Sequence, residues 1–224
     1  NGNVTTTSYN SMGRVSEKGF ANNGELRYNY QEGLLSGVVR TDASGKTLSF
    51  AYDHDSFGNL TGIQVGGIPL ARYEYAAKNG NLTNQSYGNG DSVSFTYDNL
   101  GRVVTSTYSS GRTLDYTYTG DGQLYSIVDN HATSDKSDDT TYTYTYDTLG
   151  RVINCQVCQG IRVLLQVHWE YDDCNRVKSQ GWQMGTASYQ ETFTYSEKDG
   201  SLVSIATEGG GNPLQLAYDP LQRL

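Results

Sequence analysis

The sequence predicts an all-β chain of repeated antiparallel hairpins, and three observations predict it. Tyr97-Asp98-Asn99-Leu100-Gly101-Arg102-Val103 returns as Tyr146-Asp147-Thr148-Leu149-Gly150-Arg151-Val152, with looser copies at Tyr9, Tyr30, Tyr52, Tyr75, Tyr118, Tyr171, Tyr195 and Tyr218. Successive tyrosines lie 21, 22, 23, 22, 21, 28, 25, 24 and 23 residues apart, and a fixed period of this size marks a stacked repeat architecture. The composition agrees: 19 Tyr and 26 Gly against 3 Pro favour half-buried strands joined by tight turns. Ten units of two strands predict about twenty strands in a meander. The repeat runs from end to end, so residues 1–224 are expected to be a single array.

Each unit reads turn, strand, turn, strand. Val4 to Tyr9 lead into Asn10-Ser11-Met12-Gly13, Arg14 to Phe20 leave it, Ala21-Asn22-Asn23-Gly24 turns the chain, and Glu25 to Tyr30 return. Turns follow at Gln31-Glu32-Gly33, Asp42-Ala43-Ser44-Gly45, His54-Asp55-Ser56-Phe57-Gly58, Gly66-Gly67, Ala76 to Gly80 and Gly88-Asn89-Gly90. Turn signals about 8–12 residues apart are the mark of an all-β fold. Period-two alternation is clearest in Thr141-Tyr142-Thr143-Tyr144-Thr145-Tyr146, which puts three tyrosines on one face. Ser94 to Tyr97 and Thr192 to Tyr195 repeat it, and these aromatics are expected to stack between units. Asp129 to Thr140 hold Asp135, Lys136, Asp138 and Asp139 with no apolar pattern, and read as a surface loop rather than an acidic cation site.

The motif itself reads as a hairpin turn. Asp98 accepts from a backbone N–H two residues on, Asn99 and Leu100 fill the centre of a type I turn, and Gly101 takes φ > 0. Asn175 stands in the Gly place of Tyr171-Asp172-Asp173-Cys174-Asn175-Arg176-Val177, as expected if backbone conformation is what the position encodes. Gln222 in the final copy fits that rule less well. The repeated Asp and Arg are expected to be turn caps and surface ion pairs rather than catalytic groups.

Tyr-Asp-x-x-Gly-Arg-Val at this period resembles the YD repeats of Rhs proteins: bacterial Rhs polymorphic toxins, wall-associated toxins, the C component of insecticidal toxin complexes and animal teneurins. The resemblance runs along the whole chain and is closest at Tyr97 and Tyr146. It implies a long antiparallel sheet that spirals into a hollow shell around a C-terminal toxin or effector domain of the same protein. It also implies a secreted or cell-surface location. The family's Asp-Pro-x-Gly self-cleavage motif is matched only in part by Asp219-Pro220, since Leu221-Gln222 follow, so no protease role is carried onto it.

Composition and motifs narrow the chemistry. A net charge of −8 argues against nucleic acid or an anionic membrane as partner. The longest apolar run, Val163-Leu164-Leu165, is strand-sized. The absence of a starting Met and the stop inside a motif at Leu224 suggest a piece of a longer protein.

Cys155, Cys158, His168 and Cys174 are the one metal-like cluster. Cys155 and Cys158 align with Ser106 and Ser109, Cys174 takes the Leu100 place, and residues three apart in a strand face opposite ways, so the structural reading is stronger. No βαβ pattern supports a Cys155–Cys158 redox pair. Asp53 to Gly58 imitates a calcium loop but places Phe57 and Gln64 where oxygen ligands belong. His54, His131 and His168 are the only imidazole bases, and no nucleophile, metalloprotease or phosphate-binding motif appears. Asn3, Asn59, Asn81 and Asn84 head glycosylation sequons. The expectation is a structural segment with no catalytic residue, cofactor or metal. The alternative is an adhesion module in which an exposed Trp169, Trp182 or Tyr stacks on a glycan.

Overall fold

The computed structural model describes residues 4–219, 221 and 223. Gln222, Pro220 and the Asn3 sequon lie outside the described residues. Nineteen strands and no helix occur among them, close to the twenty that the repeat count predicts. Two compact units form, Asn1–Ser110 and Gly111–Leu224.

The first unit holds β1 (Thr6–Tyr9), β2 (Val15–Gly19), β3 (Glu25–Gln31), β4 (Leu34–Thr41) and β5 (Thr47–His54). It continues through β6 (Leu60–Val65), β7 (Ile68–Tyr75), β8 (Leu82–Tyr87), β9 (Ser92–Tyr97) and β10 (Val103–Tyr108). Every strand pairs antiparallel with its chain neighbour. Glu32 with Gly33 and Gly66 with Gly67 have positive φ at both turn positions, the two-residue hairpin turn whose twist matches its strands. Tyr28, Val38, Phe50, Val65 and Ile68 lie opposite one another in a row across β3 to β7.

The second unit holds β11 (Thr113–Tyr118), β12 (Leu124–Asp129), β13 (Thr140–Tyr146), β14 (Val152–Gln159), β15 (Arg162–Tyr171), β16 (Val177–Met184), β17 (Ala187–Tyr195), β18 (Leu202–Thr207) and β19 (Leu214–Gln215). It is the same antiparallel meander. Tyr144, Cys155, Val167, Trp182 and Tyr189 form one cross-strand row, and Thr143, Gln156, Gln166, Gln183 and Ser188 form the next. Adjacent rows alternate faces. In these two rows one face is therefore aromatic and aliphatic, and the other is hydroxyl and amide.

Within each unit no element crosses over to make a second layer. Ala71 and Val93 are the only buried apolar side chains among the described residues. The chain exposes 15,095 Å², against about 10,000 Å² for a compact globular chain of this length. Its stability must come from neighbour-to-neighbour contacts, as in other repeat architectures.

Three expectations need correction. The third mark falls on His54, not Tyr52: His54 pairs with Leu60 as Tyr97 pairs with Val103. Asp55 and Gly58 (φ 86°) set the turn there, so the spacings become 24 and 21 rather than 22 and 23. The segment Asp129 to Thr140 is not a surface loop at its ends. Asp129 and Thr140 pair with each other in the ladder and are 2% and 8% exposed. The motif tyrosines share a face but do not build a ring stack. Trp182–Tyr189 is the one stacked ring pair among the described residues.

Candidate functional site

The repeated motif builds a joint, and the joint starts with its turn. Asp98 Oδ1 accepts from the N–H of Leu100 and of Arg102, both at 2.9 Å. The Gly101 N–H donates to the Asp98 carbonyl at 3.0 Å, and the Asp98 N–H to the Arg102 carbonyl at 2.9 Å. Gly101 sits at φ 78° and Asn175 at φ 65°, so Gly and its nearest substitute share one left-handed position. Asp98 Oδ2 receives Nε of Arg102 at 2.7 Å. Asp147–Arg151, Asp172–Arg176 and Asp219–Arg223 repeat this fork at the same distance. Backbone donation from Arg102, ahead of its side chain, holds the Asp98 carboxyl below the usual Asp range. Asp147 and Asp172 are lowered for the same reason.

A bulge follows each turn. Tyr97 pairs with Val103 but Thr96 with Thr105, which leaves Val104 as the extra residue. The same shift follows Tyr9, Tyr30, His54, Tyr75, Tyr118, Tyr146, Tyr171 and Tyr195. A bulge disturbs the ladder and leaves backbone groups in need of partners. The next unit supplies one. Tyr97 Oη donates to the Leu82 carbonyl and Tyr146 Oη to the Leu124 carbonyl, both at 2.6 Å. Tyr30 to Val15, Tyr75 to Leu60 and Tyr171 to Val152 follow at 2.9 Å, and Tyr195 to Val177 at 2.8 Å. The acceptor is each time the residue paired with the preceding motif position.

The motif arginine closes the joint. Arg151 lies over the Tyr171 ring at 4.4 Å and Arg176 over Tyr195 at 4.3 Å. Arg151 Nη1 also donates to Asn175 Oδ1 at 3.1 Å, on the following turn. One joint thus combines a hydroxyl bond of about 0.5–1.5 kcal/mol with a cation–π contact of about 0.5–1 kcal/mol. Arg14 shows what a missing carboxylate does. Asn10 caps its turn as Asp98 does but brings no charge. Arg14 lies 5.5 Å from the Tyr30 ring centroid with its Nη1 buried and unpartnered.

The other candidates come apart in the structure. Cys155 faces Tyr144 and Val167, while the adjoining register positions put His168 opposite Asn154 and Gly181. Cys158 is opposite Thr141, and Cys174 lies in a turn, donating its N–H to Asp172 Oδ1. All three thiols are free. No group of three or more metal-ligating side chains converges among the described residues. Asp55, the centre of the calcium-like loop, caps Phe57 and Asn59 instead. Asp135, Asp138 and Lys136 of the long connection are engaged by Ser137, Thr133 and Asp139.

Asp129 takes both arms of Arg112, at 3.0 and 2.5 Å. His131 Nε2 is 2.7 Å from Thr140 Oγ1, but its Nδ1 is 3.9 Å from Asp129. With Thr140 buried and Asp129 occupied by Arg112, the group pins the connection rather than forming a nucleophile. No described helix is long and apolar enough to cross a membrane.

Sequence reasoning missed the acceptors of the tyrosine hydroxyls. They are backbone carbonyls, and only the even placement of Tyr before each turn hinted at them.

Known proteins are similar to parts of this chain. Residues 78–113 match the family model RHS Repeat. A relative described as tRNA3(Ser)-specific nuclease WapA, from Bacillus spizizenii, is 27% identical over 197 residues, covering 78% of this chain. The chain spans only 8% of that relative's length. Among solved structures, a TcdB2-TccC3-TEV crystal structure aligns over 91% of this chain and 15% of its own, at 15% identity and a TM-score of 0.48. A TcdB2-TccC3 structure without the hypervariable C-terminal region covers 98% and 17%, at 12% identity and a TM-score of 0.38. The matched residues hold the motif at Tyr97, and the turn built there recurs at Asp147 and Asp172: residues 78–113 are an RHS repeat, and its turn is repeated along the chain.

Proposed function

We propose that this chain is a wall-forming segment of a secreted or cell-surface Rhs-type protein, in which the array encloses or presents a toxin or effector domain of the same polypeptide. The observation that carries the reading is the joint. Six tyrosine hydroxyls each tie their unit to the bulge carbonyl of the one before. A single layer joined in this way resists shear between units and has no interior of its own, which suits a partition. The recurring charges are spent on turns, so the motif performs no chemistry. Residues 1–224 act as one array, because the same joint is used in both compact units. The relative named as a nuclease matches over a small share of its length, consistent with a parent that separates wall from chemistry.

Electron microscopy of the full-length parent tests this. A closed cavity holding density for the C-terminal region is the expected result. An open sheet with the C-terminal region free in solution overturns encapsulation.

A further inference from the structure

One tyrosine differs from those of the joints in what its hydroxyl meets. The six joint tyrosines donate to backbone carbonyls. Tyr189 Oη donates instead to a carboxylate oxygen, Glu191 Oε1, at 2.6 Å. Gln180 Nε2 donates to Glu191 Oε2 at 2.8 Å and holds the carboxylate from its other side. Trp182 lies opposite Tyr189 on β16 and β17, with ring centroids 5.8 Å apart and planes inclined by 20°. Indole, phenol and carboxylate therefore stand in series. Both rings are 37% exposed, so a small molecule in solution can reach them.

We infer that Trp182, Tyr189 and Glu191 form a one-electron oxidation site, at which Tyr189 is the tyrosine modified when the chain meets a small radical oxidant. A phenol that has lost an electron is a strong acid. Oxidation therefore runs most readily where a base stands on the hydroxyl to take the proton. A backbone carbonyl accepts a hydrogen bond but is too weak a base to keep that proton. A Glu carboxylate keeps one, with an ordinary pKa of about 4.3. Donation from Tyr189 first, and from Gln180 second, keeps Glu191 below the usual Glu range, so it is ionised and ready to receive at neutral pH. The stacked indole gives the oxidant a second entrance. Trp182 can lose an electron first and regain it from Tyr189 as the proton passes to Glu191. The step balances with a carbonate radical as oxidant. The radical takes one electron and becomes carbonate, the Tyr189 O–H bond breaks, the proton goes to Glu191 Oε1, and a neutral tyrosyl radical remains. Nitrogen dioxide, itself a radical, then forms a C–N bond at the ring carbon beside the C–O carbon. The hydrogen on that carbon leaves as a proton to water, and a nitrotyrosine results. The inference rests on the partners of one tyrosine and stands apart from the wall reading.

Peroxynitrite in bicarbonate buffer supplies both radicals, and peptide mass spectrometry of the treated chain reads the nitrated fraction at each tyrosine. Accessibility alone ranks Tyr9, Tyr125 and Tyr87, at 62%, 49% and 45% exposed, ahead of Tyr189. The expected result puts Tyr189 first. Glu191→Gln keeps a hydrogen-bond acceptor beside Tyr189 but removes the base. It should cut nitration of Tyr189 at least about tenfold and leave Tyr9 and Tyr125 unchanged, with the β-sheet circular dichroism intact. Trp182→Phe keeps a ring and removes the indole, and should lower nitration of Tyr189 as well. A ranking that follows exposure overturns the site, as does undiminished nitration of Tyr189 in folded Glu191→Gln. If that variant does not fold, the ranking in the wild-type chain decides.

Discussion

Tyr146→Phe removes one atom from the joint and leaves the ring in place. In the native chain that oxygen donates to the Leu124 carbonyl at 2.6 Å, in part-buried surroundings. The substitution deletes a hydrogen bond of about 0.5–1.5 kcal/mol and leaves its acceptor short of a partner, for a combined loss of about 1–2 kcal/mol. Gln123 stands where other copies carry the stacking arginine, so no cation–π contact from that position confuses the result. With a urea slope of about 2–3 kcal/mol/M, the unfolding midpoint of the second unit should fall by about 0.5 M. Trp169 and Trp182, both in that unit, report it by fluorescence. Tyr125→Phe is the control, since Tyr125 is 49% exposed and takes the extra place in the preceding bulge. It should move the midpoint little. Equal midpoints for the two variants would refute the claim that the motif tyrosines act through their hydroxyls.

Two further outcomes follow from the turn chemistry. Asn10→Asp should supply the carboxylate that Arg14 lacks and raise the urea midpoint of the first unit by no more than an exposed ion pair gives; a lowered midpoint would contradict the fork geometry. The Asp98, Asp147 and Asp172 carboxyls are depressed in the folded chain, so their stabilisation is complete above the unfolded value and is lost as pH falls through the folded one. The midpoint should hold from pH 7 to about 5 and decline below about pH 4. Replacing all three with Asn should flatten that decline, and parallel acid limbs would exclude these carboxylates as its source.

The strands and turns were legible because they obey local rules. Asp98 and Gly101 announce a turn wherever they recur, and alternation at Thr141–Tyr146 fixes a face without any tertiary information. Register was less legible. Counting tyrosines put a mark on Tyr52, whereas the cap Asp55 and Gly58 anchor the unit on His54, a residue with no hydroxyl to donate. The partners of the joint were not legible at all. Val15, Leu60, Leu82 and Leu124 act through their carbonyls, and a carbonyl leaves no trace in residue identity. Buried Asp129 was hidden for a related reason: its Arg112 lies across a hairpin 17 residues away, and its acidic neighbours disguise it as solvent-facing.

The bulge carbonyl and the hydroxyl that meets it are the same atoms in all six tyrosine joints, so such a joint does not register which two copies it connects. Removing Asp147 to Tyr171, the 25-residue step between two marks, would bring Tyr146 directly before Asp172. Tyr195 would then meet Val177 as it does now. Length becomes a quantity that can change by whole repeats without redesigning any contact, and recombination between misaligned copies in a gene would tend to yield chains that still fold. The length of the sheet is then set by copy number, while the sequence of each copy is left to set what it touches.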